Sequence, residues 1–141
     1  MVDVERAAAD TIDVAIRLHR ELGPGLLESV YETVLAATLT RLGYEVQRQL
    51  PISFAFDGMR FEDAFRVDHL IGRRLVVELK SVERLNAAHM KQLLTYLRLS
   101  NRPIGLLINF GGATLKEGLR RIVNSHTDFA SSRLRVNHNT E

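Results

Sequence analysis

The sequence contains no cysteine, which excludes disulfide bonds and thiolate metal sites. It also lacks any apolar run long enough to cross a bilayer, and its first residues, MVDVERAAAD, carry acids where a signal peptide would carry basic residues. Its histidines show no spacing typical of a zinc site, and no repeat, linker or second domain is visible. These absences predict a soluble cytoplasmic protein with no membrane-bound part.

The residues that are present suit one globular domain. The chain has 141 residues, of which 45% are hydrophobic and 26% are charged, enough to form a single core. We expect that domain to occupy residues 1–123. Residues 124–141 lack clear periodicity and are predicted to form a C-terminal tail that either is mobile or docks on a partner.

Positive charge is concentrated in the middle of the chain. Nine Lys/Arg and five Asp/Glu lie between Arg60 and Arg102, an excess of four positive charges, whereas the remaining residues sum to minus two. Many solvated surfaces have this composition, but it also favours a polyanionic partner such as DNA or another nucleic acid.

Apolar spacing and turn residues predict an α/β fold. Helices are predicted over residues 3–22, from Gly25 to about Leu42, over NAAHMKQLLTYLRLS after the cap Asn86, and over 114–123. Strands are predicted over residues 45–56, 61–71, 75–80 and the segment PIGLLINF. The last strand follows a helix, which favours a crossover connection and parallel pairing, so we expect a mixed four-stranded sheet flanked by helices.

An unusual set of charges lies in the stretch RVDHLIGRRLVVELKSV. Alternate strand residues share a face, so Glu78 and Lys80 point the same way. A two-residue turn would place Asp68 on the other face, whereas a turn of three residues, 72–74, or of five places Asp68 directly opposite Glu78. We expect the odd-numbered turn, because Gly72 tolerates positive φ and the apolar residues then alternate correctly.

Two opposed carboxylates, with Cβ atoms about 4.5–5.5 Å apart, would repel each other unless a cation lay between them. Two carboxylates with waters and a substrate phosphate suit Mg²⁺. Lys80 on the same face would orient or deprotonate a water and offset charge on the phosphate. The competing interpretation is a surface ion pair of Glu78 and Lys80, with Asp68 belonging to the turn.

Four segments together, GLLESVYE, VDHLIGRRLVVELKSVERL, HMKQLLTYLRLS and IGLLINF, resemble the GxxExxY proteins of the PD-(D/E)XK nuclease superfamily, from about His19 to Val123. The resemblance implies a restriction-endonuclease-like core, here in the order α-α-β-β-β-α-β-α. It also implies a divalent-metal-dependent nuclease that hydrolyses DNA phosphodiester bonds by metal-activated water. The cofactor would be Mg²⁺, with Mn²⁺ as a substitute. Val67 stands where the family's nominal proline precedes the aspartate.

The resemblance also assigns roles to individual residues. The metal ligands would be Asp68, Glu78, Glu28 and the carbonyl of Leu79. The catalytic set would be Asp68, Glu78, Lys80 and Glu28, with Glu28 holding the metal or orienting a water. Gln92 and Tyr96 on the third predicted helix would line the site and contact substrate.

Each assignment has a structural alternative. An acid such as Glu28 is favoured in the first turn of a helix whatever its chemistry, and a Gln–Tyr pair beside an apolar stripe is common. Candidates for contacts with the phosphate backbone are Arg73, Arg74 and Arg84, together with Lys91 and Arg98, and each also fits a solvated surface charge. Two further functions fit the sequence: a catalytically weak or inactive nucleic-acid-binding module, and a structural or partner-binding protein. A nuclease of this size would use a homodimer or a separate recognition partner to select its substrate.

Overall fold

The computed structural model of the protein describes residues 2–125. The helices are α1 (Val4–Leu22), α2 (Glu28–Arg41) and α3 (Ala87–Ser100). The strands are β1 (Val46–Phe56), β2 (Met59–Ile71), β3 (Leu75–Lys80), β4 (Ile104–Asn109) and β5 (Leu119–Val123). The predicted tail therefore lies outside the described residues, apart from Asn124 and Ser125. In the described part of the chain no helix is both long and apolar enough to cross a membrane.

The five strands form one mixed sheet in the order β1-β2-β3-β4-β5. The first three are consecutive antiparallel neighbours, as the turn signals predict. Strand β4 returns through α3 and pairs in parallel with β3, which confirms the predicted crossover. Strands β3 and β4 lie in the centre of the sheet, and all their residues except Lys80 are buried.

The prediction of a last helix over residues 114–123 is wrong. The structure has a single 3-10 turn, Lys116–Gly118, and then strand β5, which pairs antiparallel with β4. The i, i+3 spacing of Leu119 and Ile122 also serves a strand, because these two side chains pack into the cores on opposite faces of the sheet. Without β5 the buried strand β4 would have an unpaired edge, so the sheet has five strands and not the predicted four.

Apolar side chains cover both faces of the sheet. Helices α1 and α2 pack on one face, where Val77 and Leu79 of β3 join the core. Helix α3 packs on the other face, where Leu93 and Leu97 meet Val76. Because side chains alternate along a strand, Glu78 points to the same face as Val76, towards α3.

The connection between α1 and α2 is held by Tyr31. Its hydroxyl donates a hydrogen bond to the Gly23 carbonyl and accepts one from the Leu26 N–H at 3.2 Å. Its ring stacks on Phe110, with 4.3 Å between the centroids. These contacts hold the chain that leads into α2, which has no side-chain cap of its own.

Candidate active site

The candidate site lies where strands β2 and β3 separate. Their ladder contains three residue pairs, and the pair at the turn is Ile71 opposite Leu75. This register confirms the predicted three-residue turn, in which Gly72 has a φ of 59°. The ladder ends at His69 and Val77, so Asp68 and Glu78 occupy the next rung, at the fork between the two strands.

The two carboxylates replace the backbone acceptors of that rung. The Asp68 N–H donates to Glu78 Oε1 at 2.8 Å, and the Leu79 N–H donates to Asp68 Oδ2 at 2.8 Å. Each acid is thus held by an amide of the opposite strand. The structure thus brings the carboxylates of Asp68 and Glu78 together at the fork.

Burial makes the Glu78 carboxylate costly to ionise. The side chain is 7% exposed. Burial, followed by repulsion from Asp68, raises its pKa from 4.5 to about 8, although the Asp68 N–H and Lys80 act in the opposite direction. A carboxyl group that stays protonated at neutral pH beside a second acid is typical of a functional site.

Glu28 approaches the fork from the first turn of α2. Burial and then Asp68 raise its pKa, while Lys80 lowers it. Glu28 and Asp68 line a groove of about 440 Å³, whose walls are formed by Leu27, Glu28, Ser29, Glu32, Gln49 and Asp68. Lys80 thus carries its positive charge close enough to act on both Glu28 and Glu78.

Helix α3 contributes Tyr96 to the edge of the site. Its ring stacks on Phe65 with 4.1 Å between the centroids. Burial raises the pKa of its hydroxyl, and the carboxylates of Glu78 and Asp68 raise it further, which places it beside the fork. Gln92, one helical turn earlier, is exposed to solvent.

The three arginines chosen as substrate ligands do not gather at the fork. Arg73 donates to Glu45 at 3.2 Å from the β2–β3 turn. Arg74 lies in the same turn, and with about 3.3 Å per strand residue it is roughly 20 Å along β3 from Lys80. Arg84 is exposed in the loop after β3, four residues beyond Lys80.

Gln49 is a site residue that the sequence reasoning missed. It lies opposite Asp68 on β1, has a φ of 49°, and donates its side-chain amide to Asp68 Oδ1 at 3.1 Å. With the Leu79 N–H on the other oxygen, Asp68 is held at both carboxylate oxygens. The sequence did contain a signal for it. In an antiparallel pair of β1 and β2, Gln49 is a polar residue that faces the predicted ligand Asp68.

The donor set at the fork suits a small, hard divalent cation. Oxygen ligands are what Mg²⁺ prefers, and a cation would relieve the repulsion that raises the pKa of Glu78. Between residues 2 and 125, however, no group of three or more His, Asp or Glu side chains is arranged to hold a metal ion. Asp68 and Glu78 converge, but the predicted trio with Glu28 is not assembled as a three-ligand cluster.

Comparison with known protein families matches residues 5–122 to the PD-(D/E)XK nuclease superfamily. This match covers most of the chain, and the chain belongs to that superfamily. It fits an α/β fold with a mixed sheet whose acids meet at a strand fork. No curated protein and no solved structure matches the sequence.

Proposed function

We propose that this protein is a divalent-metal-dependent nuclease that hydrolyses phosphodiester bonds of DNA, and that it is a member of the GxxExxY family within its superfamily. The single observation that carries the proposal is the fork. Two acids share one rung of the sheet, each is held by an amide of the opposite strand, and a lysine follows two residues later on the same face.

Each residue of the fork would have a separate role in hydrolysis. Asp68 and Glu78, with the carbonyl of Leu79, would hold Mg²⁺ or Mn²⁺. When bound, such an ion supplies Lewis acidity and lowers the pKa of the attacking water. Glu28 orients that water from the groove, and Lys80 assists its deprotonation or offsets charge on the phosphate. Tyr96 and the exposed Gln92 order the substrate at the edge of the site.

Nucleic acid would reach the site over the loop after β3, where Arg84 is exposed. Arg73 and Arg74 would contact a phosphate backbone only beyond the region of the fork, because they lie at the other end of β3. A domain of this size has room for one fork, so a second copy or a separate recognition partner would choose the substrate and the second strand.

Metal titration combined with a cleavage assay tests the proposal. Calorimetry with Mg²⁺ and Mn²⁺ should show that Asp68→Asn weakens binding by roughly tenfold or more, a loss of about 1.4 kcal/mol at the least. The same substitution should abolish cleavage of linear, nicked and branched DNA. Asp57→Asn is a matched control, because Asp57 occupies the β1–β2 turn, far from the fork. Equal metal affinity in wild type and Asp68→Asn would refute the site.

A second function, a nucleic-acid-binding module with little or no turnover, is favoured by one observation. No three-ligand cluster is assembled among the described residues, so the fork would hold a metal ion weakly. This function predicts salt-dependent DNA binding that survives Lys80→Ala, with no Mg²⁺-dependent cleavage by either protein. Cleavage by the wild type alone would exclude it.

A further inference from the structure

A polar cluster connects helix α2 to strands β1 and β2 beside the candidate site. The Glu32 carboxylate accepts two hydrogen bonds from Arg48, to Oε2 from Nε and to Oε1 from Nη2, both at 2.8 Å. The His69 Nε2 lies 2.9 Å from Glu32 Oε2 and 2.9 Å from the Glu32 carbonyl oxygen. Glu32 is 6% exposed and His69 is 0% exposed.

The contacts fix the tautomer of His69. A carbonyl oxygen can only accept, so Nε2 must carry the hydrogen that it donates to Glu32. Its Nδ1 is buried without a hydrogen-bond partner, so a second proton there would be an unsatisfied donor. Burial accordingly lowers the pKa of His69, although Glu32 acts in the opposite direction. The Nε2–H of His69 therefore points at Glu32 of α2.

The cluster is joined to the candidate site through adjacent residues of the same elements. His69 directly follows Asp68 on β2. Glu28 lies four residues before Glu32 and therefore on the same face of α2. Arg48 precedes Gln49, whose amide donates to Asp68. Each member of the cluster thus neighbours a residue that faces the fork.

A buried carboxylate paired with a half-exposed arginine is not the simplest way to attach a helix to a sheet. Apolar residues of similar volume would stabilise the contact about as well, since burying charge costs several kcal/mol. Apolar contacts tolerate sliding, however, whereas hydrogen bonds of fixed length and direction define one position. This cluster therefore defines the position of α2 on the sheet more than it stabilises the fold.

We infer that His69, acting with Arg48 on Glu32, is a positioning residue that fixes α2 on the sheet and thereby sets the place of Glu28 beside Asp68. The inference rests on the proposed function of the fork. It adds that His69 and Arg48, neither of which lines the groove, control the geometry of the site through Glu32.

Three variants test the inference: His69→Leu, His69→Gln and His19→Leu. One readout is kcat and KM for Mg²⁺-dependent DNA cleavage, and the other is the carboxyl carbon-13 resonance of Glu28 in metal-free protein at one fixed pH. His69→Leu should lower kcat by roughly tenfold to a hundredfold with little change in KM. It should also move the Glu28 resonance towards that of an exposed glutamate. His69→Gln should restore much of both, because its amide reaches the position of Nε2.

His19 provides the matched control. It is also buried, and its Nε2 lies 2.9 Å from a backbone carbonyl, that of Gly112. His19→Leu should lose comparable stability while kcat and the Glu28 resonance stay as in the wild type. An equal loss of kcat in His19→Leu, or an unchanged Glu28 resonance in folded His69→Leu, would overturn the inference.

Two further results distinguish a failure of the positioning role from a failure of the proposed nuclease function. If His69→Leu does not fold, Arg48→Lys replaces it, because Arg48 is half-exposed and lysine keeps the charge while losing the paired hydrogen bonds. An unchanged kcat and resonance in Arg48→Lys would count against the positioning role. A wild type that cleaves no DNA with either metal refutes the proposed function, and the Glu28 resonance still decides whether the cluster positions α2.

Discussion

Replacing Glu78 with glutamine should stabilise the metal-free protein at alkaline pH. Glutamine keeps an oxygen that accepts the Asp68 N–H, but it has no charge to bury. At about 1.4 kcal/mol per pH unit, raising the pKa of Glu78 from 4.5 to about 8 corresponds to roughly 5 kcal/mol. This is an upper limit on the gain, since water that enters the fork would relieve part of the cost.

The sign of the effect follows from linkage. The folded-state pKa of Glu78 is raised, so its unfolded form releases the proton first as the pH increases. The contribution of Glu78 to stability is therefore fully present below pH 4.5 and is lost as the pH rises to about 8. Glu78→Gln and wild type should have similar stabilities near pH 4.5, diverge as the pH rises to about 8, and keep a constant difference above it.

Urea unfolding of both proteins in a chelator, followed by circular dichroism at several pH values from 5 to 9, measures the difference. Glu83→Gln is the control, because Glu83 is an exposed acid in the loop after β3, and it should keep the wild-type pH dependence. Saturating Mg²⁺ should then stabilise the wild type, by about 2.7 kcal/mol at a hundred times Kd, and affect Glu78→Gln much less. Parallel pH profiles for wild type and Glu78→Gln would refute the assigned burial.

Three further predictions concern the frame of the site. Tyr31→Phe keeps the ring stack but loses both hydroxyl hydrogen bonds, and it should lower the free energy of unfolding by about 1–3 kcal/mol in a urea titration. Gly111→Ala should lower the free energy of unfolding by at least as much, because its Cβ would lie 2.2 Å from a backbone carbonyl oxygen. Gly25→Ala is the control: its Cβ meets open space, so its free energy of unfolding should stay within about 1 kcal/mol of wild type. Arg84→Gln should reduce the slope of log affinity against log salt in a DNA-binding titration by about one, and Arg73→Gln should leave it unchanged if the fork is where DNA binds.

Hydrophobic periodicity and turn chemistry predicted most of the sheet and its register. Strand β3 was predicted with the bounds that the structure shows, because Leu75 follows a turn and Lys80 ends an apolar run. The parity of the turn then required Asp68 to face Glu78. These features are local: a period of two residues and a count of three turn residues determine them.

Strand β5 could not be predicted in this way, because its cause lies in another strand. Leu119 and Ile122 are spaced as on a helix, and local periodicity alone favours that structure. What decides the outcome is the open edge of β4, whose backbone groups need partners. Gly118 packs against Asn109 so closely that an added Cβ would lie 2.5 Å from the Asn109 carbonyl oxygen, and this contact ends the 3-10 turn where β5 begins.

The buried cluster behind the fork was also missed, although its signal is present in the sequence. His69 points towards α2, where it contacts Glu32, into a layer where apolar residues are expected. A histidine there must either lose its hydrogen bonds or find partners, and the opposing rung of β1 offers Arg48. The buried partner comes from the covering helix: it is Glu32, the acid one turn after Glu28, which contacts both His69 and Arg48. A polar residue at an apolar position of a central strand thus predicts a partner on each neighbouring element, and here those partners are the residues on which the geometry of the fork depends.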